Sequence, residues 1–105
     1  VISKKTSCSD LDPARIRETI INEPLINWRS ADGQLALTAI RASNGWAAYA
    51  SDQRMKSEAK RLRTLEGLAI LPAATAGLLA LLSVHAATPL PADRYVAVMT
   101  GRHAA

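Results

Sequence analysis

The sequence of 105 residues contains no phenylalanine, and its aromatic side chains are limited to Trp28, Trp46, Tyr49 and Tyr95. With so few large rings, a core must be filled by alanine, leucine and isoleucine, through many small contributions. There is one cysteine, Cys8, which excludes an intrachain disulfide, and the two histidines are too few to complete a four-ligand zinc site with it. A reducing, cytoplasmic setting is expected. The five glycines stand apart at positions 33, 45, 67, 77 and 101, so neither a dinucleotide fingerprint nor a P-loop exists. No serine lies in a Gly-x-Ser-x-Gly setting, which removes the usual support for a hydrolase nucleophile. The opening Val1-Ile2-Ser3-Lys4-Lys5 lacks an initiator methionine and the apolar core of a signal peptide, as expected of a fragment or a processed product.

What is present is ordinary for a globular chain: 49% hydrophobic and 21% charged residues, against disorder. The formal charge of +4 raises the question of nucleic acid. Its distribution disfavours that partner, because outside Arg54, Lys56, Lys60, Arg61 and Arg63 the cations are scattered, and Glu58 and Glu66 interrupt that run. Residues 67–92 contain no Asp, Glu, Lys or Arg and are long enough to cross a bilayer. Pro72, Thr75, Ser83 and His85 punctuate the stretch, so two extended runs flanking a buried helix are expected instead of a membrane span.

Along the chain, residues 1–12 are polar and aperiodic, and read as an arm preceding a single domain or fragment over 13–105. Asp12-Pro13 is a helix start, with an N-cap aspartate and proline at the first helical position. Thr19-Ile20-Ile21 is β-branched and strand-like, and Glu23-Pro24 stops it. Residues 30–43 switch to helical period, with Ser30 or Asp32 as cap and Asn44-Gly45 as stop. Trp46-Ala47-Ala48-Tyr49-Ala50 reads as a strand. Ser51-Asp52 then opens a helix carrying Met55, Ala59, Leu62 and Leu65 on one face, and Gly67 closes it. Leu68-Ala69-Ile70-Leu71 is a further strand, Pro72 opens another helix over 73–87, and Tyr95-Val96-Ala97-Val98-Met99 is the last strand. The alternation predicts an α/β fold with a mostly parallel sheet and right-handed crossovers.

In such sheets ligands sit beyond the carboxyl ends of the strands. Three positions qualify: Ala50-Ser51-Asp52, Leu71-Pro72-Ala73-Ala74-Thr75, and Met99-Thr100-Gly101-Arg102. At the last, a hydroxyl can meet a heteroatom and a glycine admits close approach, although from position alone a plain turn is the favoured explanation of the pair. His85 reads as a packed or surface histidine, His103 lies in a tail, Cys8 has no base beside it, and Asp10 with Asp12 reads as solvated charge. No metal site and no catalytic residue are expected.

These motifs carry a family resemblance. Residues 16–102 resemble the C-terminal part of threonine synthase and related pyridoxal-phosphate enzymes of the tryptophan synthase β-like, fold type II group. The matching elements are Ile21-Asn22-Glu23-Pro24, residues 32–40, Asn44-Gly45-Trp46 and Ala50-Ser51-Asp52. The strongest are Glu66-Gly67-Leu68 running into Leu71-Pro72-Ala73-Ala74-Thr75-Ala76-Gly77, and Tyr95-Val96-Ala97-Val98-Met99-Thr100-Gly101. The resemblance covers most of this chain and about the last quarter of such an enzyme. It implies a partial three-layer α/β/α architecture in which Thr100 faces the cofactor's pyridine nitrogen and Gly101 permits the approach. Leu71 and Ala74 depart from the polar residues many relatives carry in the cleft loop, which leaves the choice among synthase, dehydratase and other lyases open. The Schiff-base lysine and the glycine-rich phosphate loop are absent: Lys4 and Lys5 lie in the polar arm, and Lys56 and Lys60 on an amphipathic helix. The implied chain is a non-catalytic piece, joined to the remainder of the enzyme or a partner subunit in a homo-oligomer. The alternative is a non-catalytic regulatory or interaction module on the same scaffold.

Overall fold

The computed structural model describes residues 9–26, 29–91 and 94–102. Two short 3-10 turns, Pro13–Arg15 and Glu23–Leu25, precede three helices, α1 (Gly33–Ala42), α2 (Asp52–Glu66) and α3 (Ala76–Ala87), with a further 3-10 turn, Pro72–Thr75, leading into α3.

Local chemistry accounts for most of these boundaries. Asp12 caps its turn by accepting from the Ala14 amide at 3.0 Å, with Pro13 in the first position, where a missing N–H costs nothing. Thr19 and Asn22 close a turn reciprocally: the Thr19 amide donates to Asn22 Oδ1 at 2.8 Å, and the Asn22 amide to Thr19 Oγ1 at 3.1 Å. This turn stands where the β-branched run suggested a strand. The Thr19 hydroxyl then donates to Asp52 Oδ2 at 2.7 Å, tying the turn to the start of α2.

Helix α1 stops as its residues predict, with Asn44 left-handed at φ 54° and the Gly45 amide donating back to the Ile40 carbonyl at 2.7 Å. Helix α2 starts at Ser51, whose hydroxyl accepts from the Arg54 amide at 3.3 Å, and ends at Gly67, left-handed at φ 67°.

The core lies where α2 and α3 meet the Pro72–Thr75 turn. Met55, Ala73 and Leu79 are its buried hydrophobic residues, and Leu37 of α1 is buried as well. Thr75 is fully enclosed, and its hydroxyl donates to the Pro72 carbonyl at 2.7 Å with the Met55 carbonyl at 3.4 Å. The shorter bond satisfies a buried polar group within the turn, and the longer one to Met55 pins the turn to α2. The inward face of α2 includes Glu58 as well as Met55; Glu58 is paired with Arg61 at 3.0 Å, while Leu65 points to solvent. Glu58 and Leu65 are seven residues apart on the same side of α2, so the expected stripe is covered from Met55 to Leu62 and opens to solvent in the last turn.

The parallel α/β sheet is not formed. Helices, α and 3-10 together, take 52% of the described residues, and no strand occurs among them. The apolar runs at 46–50, 68–71 and 94–102 lie outside the helices, and the pairing between them is one isolated antiparallel bridge, Ile70 to Arg102. The physical reason is that alternation and β-branching favour an extended backbone, whereas a sheet also needs a neighbour to take its N–H and C=O groups. The helices expected to act as crossovers pack instead through the Pro72–Thr75 turn. The small core leaves an open shape: the Cα radius of gyration is 15.0 Å, against about 13 Å for a compact domain of 100 residues.

Candidate functional site

The segments at 68–75 and 99–102, about thirty positions apart in sequence, run side by side. The Leu71 amide donates to the Gly101 carbonyl at 3.0 Å, and the bridge from Ile70 to Arg102 continues the pairing. A Cβ placed on Gly101 would lie 3.1 Å from both Cβ and Cδ2 of Leu71 and 3.4 Å from Cβ of Ala74. Gly101 is thus needed for its missing side chain, and what closes over it is Leu71. Thr100, next to it, is exposed. Two of the three positions expected to border a ligand are therefore joined. The third, Ala50-Ser51-Asp52, serves the start of α2 through the Ser51 cap and the bond between Asp52 and Thr19.

The remaining candidates resolve into local roles. His85 is exposed near the end of α3; its Nδ1 accepts from the Leu90 amide at 3.0 Å, and its ring lies 6.2 Å from that of Tyr95. Asp10 accepts from the Ser30 amide at 2.7 Å, so it and Asp12 both hold backbone N–H groups instead of acting as an acid/base pair. Cys8, His103, Lys4 and Lys5 lie outside the described residues. Among the described residues no group of His, Cys, Asp and Glu could hold a metal ion, and no helix is long and apolar enough to cross a membrane.

One constellation was not expected from the residues alone. Lys56, Lys60 and Arg63 lie at i, i+4 and i+7 along one face of α2, and all three line a groove of about 280 Å³. Its opposite wall is apolar, built from Ile21, Leu68, Ile70 and Pro72. A more polar lobe next to it shares Ile21, Lys56 and Lys60 and ends at Asp52. The cation spacing was visible in the sequence. The apolar wall was not, because it comes from the Thr19–Asn22 turn and from the segment after Gly67.

No family model, curated protein or solved structure matches the chain.

Proposed function

We propose that this chain is the cofactor-nitrogen-facing piece of a pyridoxal-phosphate-dependent, threonine synthase-like lyase, and that it acts only with a lysine-bearing remainder or partner subunit. The observation that carries the reading is the joining of Leu71 to Gly101, which brings together the two segments with the strongest family resemblance and leaves the Thr100 hydroxyl beside them. The fit to the cofactor is limited to that hydroxyl. Gly101 is closed over by Leu71, and no glycine-rich loop stands beside it to receive a phosphate. The other walls of the site belong to the partner.

The cofactor, when bound, supplies the electron sink for chemistry at the α-carbon of an amino acid. Thr100 contributes a neutral hydroxyl that can donate to a ring nitrogen while keeping its own proton, which moderates that sink and suits elimination and replacement reactions. The setting is cytoplasmic, and the assembly is a homo-oligomer of the complete unit.

The test is isolation from native cells followed by borohydride reduction. The chain is expected to co-purify with a polypeptide carrying a reduced pyridoxyl-lysine, and Thr100→Asp should change the visible spectrum of that complex. A stoichiometric pyridoxyl adduct on one lysine of this chain, absent after denaturation, would defeat the reading.

A second reading, an interaction module without a cofactor, is favoured by a different observation. Val96 and Val98 are 88% and 73% exposed, and Tyr49 is 93% exposed, so the apolar runs offer surface for a partner. Co-purification with a partner that lacks any pyridoxyl-lysine would select this reading.

A further inference from the structure

The groove on α2 presents three cations to an apolar wall. None of the side chains of Lys56, Lys60 and Arg63 has an ion pair or hydrogen bond among the described residues. The neighbouring arginines are engaged: Arg54 donates to the Ser83 hydroxyl at 3.0 Å, and Arg61 to Glu58 at 3.0 Å. Like charges three and four residues apart on a helix repel one another, and an anion between them reverses the sign of that interaction. Opposite them, Ile70 and Pro72 line the groove while Leu71 between them meets Gly101, as the alternation of an extended segment requires. The wall and the basic stripe are therefore held by the same tertiary contacts.

We propose that this groove binds a small amphipathic anion, a phosphate or carboxylate borne on a compact apolar group, with Lys56, Lys60 and Arg63 on the anion and Ile21 and Ile70 on the apolar part. The volume of about 280 Å³ lies at the lower end of small-molecule sites, so the ligand is compact. A nucleic-acid strand fits less well, because no aromatic side chain lines the groove to stack a base. The site takes no residue from the Thr100-Gly101 pair and stands without the pyridoxal-phosphate reading.

The experiment titrates the whole chain with phenyl phosphate, inorganic phosphate and a short oligothymidylate, followed by amide chemical shifts. Phenyl phosphate should bind about tenfold more tightly than inorganic phosphate, the excess reporting burial of its ring. Lys60→Gln should weaken phenyl phosphate about fivefold, Lys60→Arg should restore most of that loss, and Arg54→Gln should leave it unchanged. Ile70→Ala should remove the advantage over inorganic phosphate; helix content by circular dichroism guards against unfolding in every variant. Equal binding of the two phosphates, equal losses in Lys60→Gln and Arg54→Gln, or oligothymidylate binding that phenyl phosphate does not displace would each overturn the proposal.

Discussion

The corner formed by α2, the Pro72–Thr75 turn and α3 and the apolar runs at 46–50 and 94–102 have equally clear sequence patterns, yet only the corner closes on itself. In the corner, Ser51 starts a helix, Gly67 stops it and Pro72 starts the next turn, while Met55 is 1% exposed and Thr75 is enclosed between them. In the extended runs the valines face outward, and among the described residues the pairing reaches only Gly101 and Arg102. A helix satisfies its backbone groups within its own segment, so capping and period nearly specify it. An extended run leaves those groups for a neighbour, and its own residues do not name that neighbour.

The largest expected effect lies in the corner. Met55→Ala removes the centre of a core with few other members, and should lower the unfolding free energy by about 2–5 kcal/mol in urea titrations. A loss under about 1 kcal/mol would mean that the corner is no better packed than the extended runs.

Next comes the joint between the two regions. Gly101→Val drives a branched side chain into Leu71 and Ala74, already 3.1 and 3.4 Å from a bare Cβ. The expected cost is about 1–3 kcal/mol, read most directly as loss of hydrogen-exchange protection at the Leu71 amide, with the amides of α2 retained. Simultaneous loss in α2 would show that joint and corner form one cooperative unit.

A smaller effect separates backbone from packing. Gly67 is left-handed at φ 67°, and a Cβ added there would have nothing within 4 Å, so Gly67→Ala meets no steric wall. Its cost is conformational alone, about 1 kcal/mol in the same titration.

The same contrast explains what could be read from the residues. The caps Asp12 and Ser51, the stops Asn44 and Gly67 and the start at Pro72 are local signals, and each was legible. Burial of Glu58 with exposure of Leu65 was not, because which stretch of that helix face is covered depends on where the facing turn lies. The sheet was inferred from the order of elements, which carries no information on pairing. At the site, Gly101 was legible as a place of close approach, but Leu71 as the group that approaches was not. The basic stripe was legible as spacing and not as a site, since its wall is assembled from distant segments.

The smallest expected change in stability is the most informative about the extended runs. Val96 and Val98 contribute their area to solvent, so Val96→Thr with Val98→Thr should alter the unfolding free energy by no more than about 0.5 kcal/mol. The same double variant should reduce concentration-dependent association in sedimentation velocity, because the removed methyl groups belong to the apolar surface open to another chain. A loss above about 1 kcal/mol with association unchanged would place the valines in a contact within the chain, and the contrast between a closed corner and an open run would fail. Unchanged stability with weakened association would locate the unsatisfied surface at the run that ends in Thr100, where both the pyridoxal-phosphate reading and the interaction-module reading require a partner.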